Sequence, residues 1–507
     1  MRVSLQSKAL SVAAAFAMLS AFSISSAEPP EDRRLSPDQI ARDIALAQEV
    51  YTRIHPGYTR YTSATDLNAA WQSVQDGATE TDGLSVGAFY VEASRVLAEI
   101  RCDHTKAELP SDLAETRKTQ PIYLPLRWEM IEGRGFVSVA AADIGLQRGD
   151  EILAIDGDPL EARADAIRPL IPFDGETAWV RDGQIAQSYE FRGGGLDHFG
   201  ALMFETGATA ELTIQRGDAA PMAVMVDRIT HPEWRALGAG QVGARNFKDA
   251  IRFKRIGGTA AYLAVDTFVN YRTPVDPASL YDPIFASLQA EGRDTLIVDL
   301  RRNGGGSDDA ALGLVARLIG SPAPFMRDIR VKTLDLSGLE EYIYTWDSSA
   351  MSPDPRGFKA NENGTYSILK PLSRSLMTLT PRDTAFQGQL ILLTSRNNAS
   401  GSTHLLSFIK AQNPDAILIG EATGGSAEGA TAGILFTLTL PESGIKMRVP
   451  AMQSFVNNGG FETGLGMSPD IEAPITVEAF LEAEDPAMQA ALTLISAPEG
   501  FSMATLK

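Results

Sequence analysis

The chain has 507 residues, a formal charge of −19 and one cysteine, Cys102. So acidic a protein has no electrostatic reason to bind nucleic acid. A single thiol excludes an internal disulfide, so stability must come from buried cores, and the length is ample for two or three domains.

The first residues run MRVSLQSK, then ALSVAAAFAMLSAF, then SISSAEPP. A short basic start, an apolar stretch and a small-residue cleavage site follow the order of a secretory signal peptide. The apolar run falls short of the ~20 residues of a bilayer-spanning helix, which favours export with cleavage over a membrane anchor. Ser25, Ser26 and Ala27 form the expected cleavage site, which makes 1–27 the signal and Glu28 the first mature residue. Loss of Arg2 and Lys8 moves the charge from −19 to −21. No cysteine stands at the cleavage point to carry a lipid, and no later segment reads as a membrane span. The expected location is periplasmic or secreted.

Residues 28–110 read as a helical cap region. DRRLSPDQIARDIALAQEVYTRI has apolar residues at helical spacing behind a Ser36-Pro37 start signal. VGAFYVEASRVLAEI repeats that period and ends before Arg101-Cys102-Asp103-His104-Thr105.

From 119 to 230 the pattern turns to strands: GRGFVSV, IGLQRGDEILAIDGDPL with its Asp-Gly turn, then ATAELTIQRG and PMAVMVDRI as a closing hairpin. This stretch resembles a PDZ domain in Gly133-Arg134-Gly135-Phe136, in Leu146–Leu153 and in Ile155-Asp156-Gly157. Such a loop-then-strand can hold a chain-terminal carboxylate on backbone N–H groups, which makes Gly133, Arg134, Gly135 and Phe136 the expected peptide-carboxylate site. The alternative is a small β domain used for packing alone. An insert at 171–207, with a flexible Gly193-Gly194-Gly195, departs from the PDZ pattern.

A glycine-rich linker at 232–250 leads to residues 251–497, where strands and helices alternate. AAYLAVDTF, DTLIVDL, QLILLTS and AILIGE have strand length, and ALGLVARLIG and THLLSFIKAQ lie between them as helices. That is an α/β domain with a largely buried sheet. The stretch 325–386 reads as an elaborate loop.

Two strand ends could carry chemistry. In Asp299-Leu300-Arg301-Arg302-Asn303-Gly304-Gly305-Gly306 a strand empties into three glycines, whose N–H groups can form a nest for an oxyanion. A plain flexible turn would look the same. The second is Ser395-Arg396-Asn397-Asn398-Ala399-Ser400-Gly401-Ser402-Thr403-His404, between a strand and a helix expected to start near Thr403. Ser402 or Thr403 would cap that helix, and the chemistry alone leaves Ser395, Ser400 and Ser402 open as nucleophiles. The few histidines are scattered and no H-E-x-x-H occurs, so no metal or other cofactor is expected.

The catalytic region resembles the tail-specific (C-terminal processing) peptidase superfamily, and more closely its tricorn-like branch. The resemblance rests on Asp103-His104-Thr105, the PDZ-like segment, Ala261–Val265, Asp299–Gly306, the Ser400 segment, Gly420-Glu421-Ala422-Thr423-Gly424-Gly425 and Gly466-Met467-Ser468-Pro469-Asp470-Ile471. It implies a crotonase-like ββα organisation and a serine peptidase acting on polypeptides, in some cases recognised by a chain end. Carried over, the nucleophile is Ser400, although Thr403 stands where the pattern has glutamate. The lysine of a Ser–Lys dyad is replaced by Ser426, and Lys446 is the nearest later lysine. The resemblance therefore implies His104 as the base and Glu462 as its orienting acid, with Glu421 and Asp470 structural and Asp299 ordering the glycine loop. His55 reads as a surface residue, His198 and His231 lie in the insert and before the linker, and His404 lies in the helix after Ser400. The oxyanion would rest on Gly401 with Gly305 or Gly306. The expected activity is that of an exported serine endopeptidase or processing peptidase. The alternatives are a catalytically degenerate PDZ-containing scaffold, or an esterase, which lacks the G-x-S-x-G elbow here.

Overall fold

The computed structural model describes residues 33–188, 191–238, 243–461 and 463–496; the signal segment and Glu462 lie outside them. No helix among the described residues is long and apolar enough to cross a membrane.

Three helices form the N-terminal region: α1 (Pro37–Ile54), α2 (Ala64–Glu80) and α3 (Val86–Ala98). Helix α1 starts where expected, because Ser36 and Gln39 form a reciprocal capping box. It buries Ile40, Ile44, Ala47, Val50, Tyr51 and Ile54 along one face. The far end of the chain holds it down: Asp43 accepts the N–H groups of Glu442 and Ser443 at 3.0 and 2.9 Å, and the Tyr51 hydroxyl donates to the Arg448 carbonyl at 2.9 Å. Helix α3 is buried on nearly every side and delivers the chain into the Arg101–Thr105 loop.

The β domain that follows is an antiparallel sheet of β1 (Leu126–Ile131), β2 (Arg134–Ala140), β3 (Glu151–Ile155), β4 (Thr209–Gln215) and β5 (Met222–Asp227), in that order. Helix α4 (Leu160–Ile167) packs beside it. The sheet corrects the expected carboxylate site. Gly133 turns the β1–β2 hairpin, and Gly135 and Phe136 are paired on both sides, to Met130 and Glu129 in β1 and to Ile152 and Glu151 in β3. A strand paired on both edges offers no backbone to an added peptide. Arg134 is engaged with Glu151, and Phe136 packs on Phe480.

The insert carries helices α5 (Val180–Ala186) and α6 (Gly195–Met203). Its glycines serve close packing rather than flexibility, for a Cβ on Gly194 would lie 2.6 Å from the carbonyl oxygens of Ile185 and Ala186. A short helix α7 (His231–Ala236) opens the stretch read as a linker.

The six-stranded sheet of the α/β domain runs β6 (Ile251–Ile256), β7 (Ala260–Val265), β8 (Thr295–Asp299), β9 (Gln389–Thr394), β10 (Ile417–Gly420) and the short strand Ile471–Glu472. All pairs are parallel except β6 with β7. Helices α8 (Pro277–Ala290), α9 (Asp308–Val315) and α10 (Gly401–Gln412) make the crossovers. The continuous apolar runs of these strands are explained by burial on both faces. A long antiparallel pair, β11 (Thr431–Thr439) and β12 (Lys446–Val456), adds to the alternating strands and helices expected of this domain. One apolar core joins the N-terminal helices, the β domain and this pair, so the cap is fused to the rest.

His55 corrects the surface assignment. It is fully buried, with Nε2 2.9 Å from Thr105 Oγ1 and Nδ1 accepting the Gly57 N–H at 3.1 Å. Burial, aided by Lys332, pushes its pKa down to about 3. The unfolded chain, with an imidazole near ~6.5, then takes up a proton that the folded state refuses. His55 therefore withdraws stability as pH falls below about 6.5. Between pH ~6.5 and ~5 wild type should lose about 2 kcal/mol more than His55→Gln, measured by urea unfolding of both proteins at each pH.

Candidate active site

Adjacent parallel strands β8 and β9 end side by side, with Asp299 opposite Leu393. The carboxyl ends of such strands are where α/β sheets place reacting groups. After β8, Asp299 turns the loop: its carboxylate accepts the Arg301 N–H at 3.1 Å, the Arg301 guanidinium at 2.8 Å and the Tyr262 hydroxyl at 2.8 Å. After β9, Asn398 ties the two loops together. Its Nδ2 donates to Leu300 O at 2.6 Å, Asn303 O at 3.1 Å and Ser402 Oγ at 2.9 Å. Its carbonyl accepts the N–H groups of Gly424 and Gly425 at 2.9 and 2.8 Å and the Thr403 hydroxyl at 2.9 Å.

Ser400 follows at φ 50° and ψ −129°, a backbone conformation rare for a residue with a side chain. It is the N-cap of α10 but makes no side-chain cap bond, and the helix begins at Gly401, earlier than the expected Thr403. Two glycines hold it from opposite chain segments. A Cβ on Gly305 would lie 2.9 Å from Gly401 N and 3.0 Å from Ser400 Cβ, and a Cβ on Gly425 would lie 3.1 Å from Ser400 N. Neither position admits another side chain.

This geometry separates the three serines. Ser395 donates to Arg301 O at 2.6 Å, and Ser402 is fully buried beneath Asn398. Ser400 and Gly401 line a cavity of about 1080 Å³, with Gly304, Gly305, Gly306, His104 and His404 on its walls. The Gly305 N–H is committed to Asn303 Oδ1 at 2.8 Å. Among the described residues no bond occupies the N–H of Gly306 or Gly401, and a Cβ on Gly401 would lie 3.7 Å from Gly306 N. Of the two expected oxyanion alternatives, Gly306 is thus the available one. Its φ of +138° and its approach to Phe268, 2.3 Å from a hypothetical Cβ, require glycine.

His104 reaches the cavity from the loop after α3. A ring nitrogen of His104, a carboxylate oxygen of Asp174 and Cys102 Sγ lie within 4.8 Å of one another. Asp174 is buried, with one oxygen on the Asp103 N–H at 2.9 Å and Oδ2 without a partner. Burial raises the pKa of this carboxyl, and His104 draws it back down. Cys102, pushed up to about 12 chiefly by burial, stays a thiol and donates to Thr431 O at 3.4 Å. Among the described residues, these three side chains are the group whose donor atoms lie close enough together to hold a metal ion. Asp174 belongs to the segment read as an insert, and only its place inside the apolar IPFDGE run marked it.

The other histidines differ. His404 accepts the Ala430 N–H on Nε2 at 2.9 Å, and burial pushes it down to about 3. His198 pairs with the Tyr90 hydroxyl at 2.7 Å. His231 also lines the cavity, yet burial and neighbouring arginines hold it at about 4. Lys446 is bound to the Ser111 hydroxyl at 2.6 Å and does not line the cavity. Glu421 pairs with Arg396 and Asp470 with Lys410, in the structural roles expected of them.

A serine held at a strained strand-to-helix turn, with free N–H groups beside it and an imidazole on the same cavity, is the apparatus of a serine-type peptidase. Residues 259–473 match the model of peptidase family S41, so this part of the chain carries a peptidase S41 domain. The fold resembles the crystal structure of mature CPAF, with a TM-score of 0.63 and 15% identity over 92% of this chain and 99% of that one. Mature CPAF complexed with lactacystin gives a TM-score of 0.63 and 15% identity over 90% and 99%. No curated protein sequence matches the chain.

Asn398→Ala should remove the side-chain donor to the Leu300 and Asn303 carbonyls and to the Ser402 hydroxyl, and the acceptor of the Ser395 N–H, and cost about 3 kcal/mol. Denaturant unfolding reads this loss. Ser395→Ala, which removes a single hydroxyl bond, should cost about 1 kcal/mol.

Proposed function

We propose that the protein is an exported serine endopeptidase or processing peptidase that hydrolyses polypeptides through an acyl-enzyme on Ser400. The observation that carries this reading is Ser400 itself: a non-glycine residue in a strained conformation, held between Gly305 and Gly425, with its side chain on the cavity. Strain of ~1–3 kcal/mol at such a position persists only where surrounding structure imposes it.

In the first step His104 takes the Ser400 hydroxyl proton as the oxygen attacks the scissile carbonyl carbon. Negative charge moves to the carbonyl oxygen, where the N–H groups of Gly401 and Gly306 receive it. The C–N bond then breaks, and the amine leaves with the proton from His104. Water, deprotonated by His104, attacks the ester; the acid product departs and Ser400 recovers its proton. Asp174 acts as a positioning residue that orients the imidazole and favours its protonated form, as a buried carboxylate does in other serine hydrolases. That assigns to Asp174 the part the family pattern gave to Glu462, a residue outside the described segments. The β domain is PDZ-like in this reading, used for packing rather than for receiving a chain end at Gly133–Phe136.

Ser400→Ala should reduce peptide turnover by at least ~10³-fold while circular dichroism stays that of wild type. Normal hydrolysis by folded Ser400→Ala would overturn the assignment. His104→Ala should be impaired comparably. Asp174→Asn should lower kcat by about 10²–10⁴-fold with little change in KM, because it disturbs only the orientation and charge of the base. A rise in KM at unchanged kcat would make Asp174 a packing residue instead.

A further inference from the structure

In a chain of charge −19, eight cationic and four carboxylate side chains line the cavity. Three of the arginines, Arg127, Arg192 and Arg235, gather with His231 where the β domain, the insert and α7 meet, with Arg245 nearby. Arg127 is buried, 7% exposed, and stacks on Trp234 with its guanidinium carbon 4.0 Å from the ring centroid. Its donors go to Leu237 O at 2.5 Å, Gln187 Oε1 at 3.3 Å and Trp234 O at 3.5 Å, none of them a carboxylate. Arg192 donates to the Ala114 carbonyl at 2.8 Å, and the acid that feels it, Glu115, is already bound to Lys118. Arg235 is exposed and makes no hydrogen bond or ion pair among the described residues. Burial depresses both the Arg127 and the His231 proton affinities, and repulsion from Arg235 and Arg245 adds to it in each case.

Like charges gathered against a buried guanidinium destabilise the fold unless an anion completes them. Arginine forks match carboxylates in particular. We propose that this end of the cavity is a subsite for acidic side chains, so that the preferred polypeptide substrates carry Asp or Glu close to the scissile bond. The inference rests on the peptidase reading for its biological meaning, but binding itself tests it.

The experiment uses folded Ser400→Ala protein and fluorescent peptides of one length and core sequence, with Glu, Gln or Lys at the flanking positions. Each peptide is made with a free and with an amidated C-terminus, and binding is read by anisotropy at low and high salt. Glu peptides should bind about tenfold or more tightly than Gln peptides at low salt, with Lys peptides weakest. The preference should shrink as salt rises. It should largely vanish in Arg192→Gln/Arg235→Gln and persist in Arg255→Gln, a surface arginine paired with Glu291. Equal affinity for Glu and Gln peptides, or a preference untouched by the double variant, overturns the proposal. So does a preference abolished by amidation, which would assign the arginines to a chain-end carboxylate. If wild type cleaves none of the peptides while Ser400→Ala keeps the Glu preference, the peptidase reading fails and the subsite stands.

Discussion

Ser400 carries a positive φ that its own side chain opposes, and two other loops, tied to its own by Asn398, keep it there. Gly305 comes from the loop after β8, Gly425 from the loop after β10, and Asn398 bonds to both loops at once. The two glycines approach Ser400 and its flanking backbone so closely that a methyl group at either would collide. The nucleophile loop cannot relax without breaking these contacts. Its distortion is therefore a property of the parallel sheet that brings three strand ends together, rather than of the loop sequence alone.

The imidazole arrives by an independent route. His104 sits beyond α3, about three hundred residues before Ser400 in the chain, and its loop is set by contacts on several sides. Asp174 accepts the Asp103 N–H, Gly175 donates to Arg101 O at 2.9 Å, and Thr177 Oγ1 donates to Gly424 O at 2.7 Å. The insert thus joins the histidine loop to the same Gly424–Gly425 turn that backs Ser400. Beneath it, His55 bonds to Thr105, and one apolar core runs from the N-terminal helices to β11 and β12. The loop that carries His104 thus rests on a continuously packed core.

The distribution of charge follows the same economy. Acidic groups dominate the chain as a whole, yet arginines from β1, the insert and α7 converge on the cavity wall. A cationic wall inside an acidic protein concentrates field lines where the substrate must pass. Arg127 stacks on Trp234, which is buried and whose indole donates to Leu126 O at 3.1 Å, so the first residues of the nominal linker pack on the β domain.

Much of the fold was legible from local pattern. The helix start at Ser36-Pro37 and strands within the apolar runs 260–268, 294–300, 389–395 and 416–421 appear where periodicity and burial rules place them, and the helix after Ser400 starts at Gly401, two residues before the expected Thr403. The glycine run after Asp299 and the serine before Gly401 marked the two strand ends, because glycine and small residues are required wherever backbone must approach backbone. Helix α2 falls inside the region that reads as helical without being marked there as a separate element, and the mixed burial along β11 and β12 leaves that pair without a clear period. The sequence by itself determined the strand-loop-helix frame and the short set of residues able to react, since these follow from neighbours within a few positions. Tertiary structure alone decided that Ser400 rather than Ser395 or Ser402 faces the cavity, that Gly305 spends its N–H on Asn303, and that Asp174 meets His104. Each of these depends on contacts between segments far apart in the chain, and no local spacing encodes which of several chemically equal groups a distant loop will cover.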